Sequence, residues 1–345
     1  MAPDWKSFPF KILPLKNEIQ KKIAQDFAGH PSGLASCNHW GFKLPATVTE
    51  TELENIYNYP LDPSDVWVVA PPKCGGTWTM EMVWLIVNNL DYEGAKTPLF
   101  PDRWHYMDFA ARRDKGFALP VCSELPPSVG GSPQDWTGTS GDHIRTSPRY
   151  IKSHMPMSMN NPRLLDVCKV VYVARNPKDA CTSYYHHCKL FKLRDFKGDL
   201  KLFVDDFTDG TMMSATMCEH MIEAWNLRHH PNMCFLFFED MKRDLKSQIR
   251  RVATFFGKSY SDQQVEKLAE HLHIDNFKKN PHVNKEDARA KALMYPDRGN
   301  FVRQGKTGNW KKVFTPDIDE KFDKWMAQKM KSTDLTFVMD LERQD

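Results

Sequence analysis

The 345-residue sequence has no Cys-x-x-Cys pair, no Asn-x-Ser/Thr acceptor and almost no net charge. Its eight cysteines are scattered without a repeated spacing, which argues against a disulfide framework and against a zinc ribbon. The missing glycosylation acceptor, and a start (Met-Ala-Pro-Asp-Trp-Lys-Ser) with no basic stretch leading into an apolar one, set the expectation of a cytoplasmic protein. The longest apolar stretches, such as Met82–Val87, fall far short of the ~18 residues that span a bilayer, so no membrane partner is expected. Forty-seven Lys and Arg against 44 Asp and Glu leave +3, too little for a protein that neutralises many nucleic-acid phosphates. Internal repeats and heptads are also missing, which sets aside solenoids and coiled coils.

What remains is an ordinary globular composition, 41% hydrophobic and 26% charged, which separates the chain from disordered and collagenous proteins. The runs Asp65–Ala70, Lys169–Ala174 and Met233–Phe238 are near-continuously apolar, as parallel strands covered on both faces are. A 3.6-residue period predicts helices over Thr77–Leu90, Glu219–Arg228, Leu245–Phe256, Asp262–Leu272 and Asp317–Lys331. This alternation predicts an α/β fold of three layers, a central, mainly parallel sheet flanked by helices, with ligands at the carboxyl ends of the strands. The chain reads as a single domain over 1–345. Residues 110–150, broken by Pro120, Pro126, Pro127, Pro133, Gly130, Gly131, Gly138 and Gly141, read as one long loop insertion, a candidate substrate lid.

Four segments could carry chemistry. The first strand runs into Pro71-Pro72-Lys73-Cys74-Gly75-Gly76-Thr77-Trp78, a P-loop-like turn before a helix. Glycines turn N–H groups inward, the helix start adds partial positive charge and Lys73 adds a full one, so the segment suits an anion. The same residues also fit a tight turn capping a helix. The lysine precedes the glycines, unlike GxxxxGK[ST], which disfavours a magnesium-dependent kinase or ATPase.

Arg175 follows the strand Lys169–Ala174, where a guanidinium fork suits a phosphate and Ser183 could add a hydroxyl; an Arg175–Asp179 structural ion pair is the alternative. Tyr150–Pro156 reads as a short strand on which Lys152 and His154 share a face. A histidine beside a positive charge stays neutral and can take a proton, although a lone histidine also fits a structural role. Phe301–Lys311 is a glycine-punctuated basic loop, either a solvated connection or an anion site built on Arg303, Gln304 and Gly305. The pairs His186-His187 and His229-His230, with Cys181 and Cys188 nearby, do not converge in helical geometry, so no metal is expected.

Taken together, these segments resemble the cytosolic sulfotransferases from about Ile56 to the C-terminal helix. Pro72–Trp78 looks like that family's 5′-phosphosulfate loop and Lys152-Ser153-His154 like its Lys-Thr-His strand. Val173–Asp179 looks like its 3′-phosphate segment and Arg303–Lys311 like its last cofactor loop. The resemblance implies transfer of a sulfuryl group from 3′-phosphoadenosine 5′-phosphosulfate (PAPS) to an alcohol, phenol or amine, leaving the bisphosphate PAP, without a metal. It implies His154 as general base, with Lys73 and Lys152 stabilising the in-line transition state. Cys74, Gly75, Gly76 and Thr77 would meet the 5′-phosphate, Trp78 and Phe238 the adenine, and Arg175, Ser183, Arg303, Gln304 and Gly305 the 3′-phosphate end.

The chain departs from the family pattern at Cys74 for serine, Phe238 for tyrosine, Leu272-His273-Ile274 for Thr-Ser-Phe and Gln304 for lysine. These losses leave open a non-catalytic carrier of a nucleotide or of another ligand, one that keeps the fold and has lost efficient transfer. The family's dimer motif appears as Lys311, Thr315, Pro316 and Glu320, with proline in place of valine, and implies a homodimer through that region. The 110–150 segment and Arg228–Asp240 are also similar to the insect branch that includes retinol dehydratase. For a small, largely apolar acceptor, such as a phenol, steroid or retinoid-like alcohol, the candidate contacts are Pro72, Trp104, His154, Tyr185 and His187.

Overall fold

The computed structural model describes residues 5–109, 111–117, 147–284 and 293–341. Most of the expected lid, residue 110 and residues 118–146, lies outside the described residues. The chain opens with a small antiparallel sheet, β1 (Ile12–Pro14), β2 (Leu34–Cys37) and β3 (Lys43–Pro45), interrupted by helix α1 (Asn17–Asp26) and followed by α2 (Glu50–Tyr57). These strands are three or four residues long, too short for the sequence pattern to reveal.

The main sheet holds β4 (Val66–Val69), β5 (His105–Tyr106), β6 (Tyr150–Ser153), β7 (Lys169–Ala174) and β8 (Met233–Phe237). They lie in the order β5-β6-β4-β7-β8, every pairing parallel. Helices α3 (Gly76–Val87), α4 (Leu164–Val167), α5 (Pro177–Leu190), α6 (Leu200–Thr208), α7 (Met217–Asn226), α8 (Phe238–Arg243), α9 (Leu245–Phe255), α10 (Asp262–Leu272), α11 (Ile274–Lys279) and α12 (Pro316–Met330) complete the α/β fold. The four residues of β4 are all buried, which is why their sequence shows no polar alternation.

Helix starts follow local chemistry. At α5 the Asn176 side chain accepts from the Lys178 amide and Pro177 stands at the first turn, where its missing N–H is no loss. At α10 Ser261 and Gln264 form a capping box that matches the sequence reading of Asp262–Leu272. The third expected strand stops one residue early, at Phe237, and Phe238 begins α8.

Register decides the site. Val69 pairs with Ser153 on one side and with Tyr172 on the other. The segments leaving β4, β6 and β7 at their carboxyl ends therefore emerge side by side, bringing together Lys73, His154 and Arg175, which are spread over about a hundred residues of sequence.

Candidate active site

The turn after β4 is held by two residues of left-handed backbone, Lys73 at φ 69° and Gly75 at φ 105°. A Cβ at Gly75 would sit 2.8 Å from Phe238 Cδ2, so conformation and space both require glycine. Lys73, Gly75, Gly76, Thr77 and Trp78 line a cavity of about 290 Å³ at the carboxyl edge of the sheet. Cys74 does not join them. Its side chain is fully buried beneath the turn, and burial pushes its thiol up to about 12.

Lys152 and His154 meet in the cavity wall, Lys152 Nζ against His154 Nε2. The Lys152 ammonium also lies 4.4 Å from the Tyr106 ring centre. His154 presents Nδ1 to the carbonyl oxygen of Ala70, while its backbone amide donates to Asp108 Oδ1 at 2.9 Å. Burial, then the charges of Lys152 and Arg112, hold the imidazole well below its ordinary range, so it is neutral. A neutral ring that donates from Nδ1 keeps its lone pair on Nε2, the tautomer assigned from these partners.

Arg175 is 8% exposed and turns its fork onto backbone, Nη1 to the Lys73 carbonyl at 3.2 Å and Nη2 to that of Lys306 at 3.0 Å. Its guanidinium lies 4.2 Å from the Phe238 ring centre, while Nε is buried without a hydrogen-bond partner among the described residues. The Arg175–Asp179 ion pair does not form among the described residues. Asp179 accepts instead from the amides of Gly308 at 2.7 Å and Trp310 at 3.3 Å, tying the C-terminal loop to α5. That loop brings Arg303, Gln304 and Gly305 into the cavity wall. Burial and the neighbouring Arg175 lower the Arg303 pKa.

Ser183, His186, His187 and Leu190 all line the cavity, and their spacing is one face of α5. Tyr185, an expected acceptor contact, lies off that face and packs its ring against Phe196 and Phe203 at 6.1 and 5.5 Å. Trp104, another, is 1% exposed and packs on Tyr150, outside the cavity lining. Pro72 and His187 do line it. Trp78 donates Nε1–H to the Leu272 carbonyl at 2.9 Å and meets Phe238 edge-on at 5.6 Å, forming an aromatic corner. Tyr106, Phe109, Arg112 and Arg194 also line the cavity. No period or motif singles them out in the sequence.

A family model described as a sulfotransferase domain matches residues 63–334. The chain belongs to the sulfotransferase family. Among curated sulfotransferases, mouse sulfotransferase 1A1 is 32% identical over 301 residues, 86% of this chain and 94% of that protein. The luciferin sulfotransferase of Photinus pyralis is 31% identical, covering 79% of this chain and 73% of that one. Among solved structures, retinol dehydratase in complex with retinol and PAP superposes with a TM-score of 0.86 at 32% identity, over 96% of this chain and 100% of that chain. The same enzyme with androsterone and PAP gives 0.84, again at 32% identity, over 96% of this chain and 99% of that one. Sulfotransferases are group-transfer enzymes, and this chain is one of them by membership. Among its described residues no helix is long and apolar enough to cross a membrane.

Proposed function

We propose that this sulfotransferase moves a sulfuryl group from PAPS to the hydroxyl of a small, largely apolar acceptor, with His154 as general base. The observation that carries the reading is the His154 environment, an imidazole kept neutral with its basic nitrogen facing Lys152 in the cavity wall. His154 Nε2 takes the acceptor proton, the acceptor oxygen forms the new S–O bond, and the S–O bond to the 5′-phosphate breaks to release PAP. Lys73 and Lys152 would carry the charge that builds on the transferring and leaving oxygens. The phosphate turn, Trp78 and Phe238 suit the 5′-phosphate and adenine, and Arg175, Ser183, Arg303, Gln304 and Gly305 the 3′-phosphate end.

Titration calorimetry with PAP and with ADP, which lacks the 3′-phosphate, tests the cofactor without an assumed acceptor. Strong preference for PAP supports the reading. A folded protein that binds neither belongs instead to the carrier class that the departures at Phe238, His273 and Gln304 leave open.

A second outcome of the same chemistry is suggested by the full-length likeness to retinol dehydratase. After transfer to an allylic alcohol, loss of sulfate would leave an anhydro product. Chromatography of reactions with retinol and PAPS separates a stable sulfate from an anhydro compound. The seven described cysteines are buried free thiols, which suits a reducing cytoplasm. The homodimer through Lys311, Thr315 and Glu320 is retained as part of the proposal, supported by Val313, a 40% exposed apolar side chain between them. Within one chain those three residues pair with Asp340, Asp317 and Lys324, so sedimentation equilibrium of Val313→Glu against the unaltered protein tests whether the segment also joins two copies.

A further inference from the structure

The cavity lining is unusually one-sided. Among the described residues it includes ten lysines and arginines and no aspartate or glutamate. Lys73, Lys152, Arg175 and Arg303 are accounted for by the phosphosulfate donor. Arg112, Arg113 and Arg194 are not, and they are reached from His154 through Asp108 rather than from the phosphate turn. Asp108 accepts from the His154 amide with one oxygen and faces Arg112 Nε at 3.4 Å with the other. The Arg112 carbonyl in turn accepts from Arg194 Nη1 at 3.2 Å.

Arg112 has one carboxylate partner, the buried Asp108, and among the described residues Arg113 and Arg194 have none. Arg112 is 3% exposed; its Nη2 donates to Ser214 Oγ at 3.2 Å and its Nη1 is buried with no hydrogen-bond partner among the described residues. Among the described residues Arg194 finds only neutral acceptors, His30 Nε2 at 3.1 Å and the Arg112 carbonyl. Arg113, half-buried, forms no ion pair among the described residues. The cluster's field is felt at the base, since Arg112 helps to hold His154 neutral. Three partly desolvated guanidiniums gathered on a cavity wall with one carboxylate among them are costly unless a further anion joins them. Phe109, Leu190, Phe191 and Leu193 supply apolar wall in the same cavity.

We infer that the acceptor is a hydroxyl compound with an apolar body and a carboxylate, the carboxylate held by Arg112, Arg113 and Arg194 while the hydroxyl reaches His154. Retinol and androsterone carry no such anion, so the inference distinguishes this chain's acceptor from those of its solved relatives. It rests on the sulfuryl-transfer reading.

The test uses two matched pairs, 4-(4-hydroxyphenyl)butanoic acid with its methyl ester and 12-hydroxydodecanoic acid with its methyl ester. Each compound is titrated calorimetrically into PAP-loaded protein, and each is assayed for sulfate transfer from PAPS. At least one acid should bind about 10-fold more tightly than its ester, the size expected of a hydrogen bond to a charged group. In Arg113→Gln and Arg194→Gln the preference should fall below about twofold, each variant's PAP affinity first showing that it is folded. Esters that bind as well as the acids in both pairs, binding by none of the four compounds, or a preference that survives both substitutions would each overturn the inference. If PAP itself fails to bind, the transfer reading falls and the inference with it; if PAP binds and acid and ester are equal, only the inference falls.

Discussion

His154 Nδ1 rests on the carbonyl oxygen of Ala70, the residue that follows the central strand. The adjacent strands β4 and β6 run parallel with Val69 opposite Ser153, so this contact is a consequence of sheet register. It fixes which ring nitrogen is basic, and it places that nitrogen beside Lys152. Backbone geometry thereby sets up the proposed base before any ligand arrives.

Because burial and two nearby cations depress the His154 pKa, the ring is already neutral at its ordinary value of about 6.5 and stays so as pH rises. Activity should therefore be lost only as pH falls through the depressed value. A profile of kcat/KM should be level from about pH 6 to 8, with no inflection near the unperturbed histidine pKa. His154→Ala should lower kcat by about 10²–10⁴-fold, with PAP affinity unchanged by calorimetry. Retained turnover in that variant would remove His154 from the mechanism.

Arg303 and Arg175 lie close enough for each charge to disfavour the other, and the nearby Asp179 carboxylate is committed to backbone amides. A bound 3′-phosphate would relieve that repulsion, whereas a nucleotide without it would not. Arg303→Gln should accordingly weaken PAP by about 10- to 100-fold and leave ADP affinity nearly as it was. Equal losses for both nucleotides would show that Arg303 supports the loop rather than the 3′-phosphate.

Those four site segments were legible in the sequence because each is local: a strand end, a few special residues, then a helix or loop. Parallel register assembled three of them, those after β4, β6 and β7, while Asp179 ties the Phe301–Lys311 loop to α5. Side-chain direction was not legible. On α5, Ser183, His186, His187 and Leu190 share the cavity face, and Tyr185 falls off it by the helical repeat once the helix bounds Pro177–Leu190 are known. Trp104 is an aromatic like those in the cavity, but packing against Tyr150 takes it into the core. Arg112 and Arg194 stand in turns without any periodic pattern, so only the folded chain brings them together.

The phosphate turn offers a test of backbone conformation. Gly75→Ala would place a methyl group against Phe238 while forcing an L-residue to φ 105°. The Phe238 ring also covers Arg175, so its displacement should reach the nucleotide site. A loss of about 1–3 kcal/mol in urea denaturation and a weaker PAP titration are expected together. Gly210→Ala separates the two effects: Gly210 has φ 73° and open space around it, so it should lose stability and keep its PAP affinity. An unchanged PAP affinity in Gly75→Ala would mean that Phe238 does not contact the nucleotide.

Beneath the same helix lies a buried ion pair. Glu81 of α3 is fully buried and its Oε2 accepts from Arg103 Nη1 at 2.7 Å, while Oε1 faces His271 Nε2 at 2.8 Å. Arg103 also donates Nε–H to the Thr97 carbonyl and lies 5.0 Å from the Trp84 ring centre. Removing one charge leaves the other desolvated without its counter-ion, whereas removing both leaves an apolar space that can be filled. Glu81→Leu should therefore cost about 3–5 kcal/mol in urea denaturation, and Glu81→Leu combined with Arg103→Met should cost less than the single change. A double variant less stable than Glu81→Leu would mean that Arg103 stabilises the fold chiefly through Trp84 and Thr97, independently of the carboxylate.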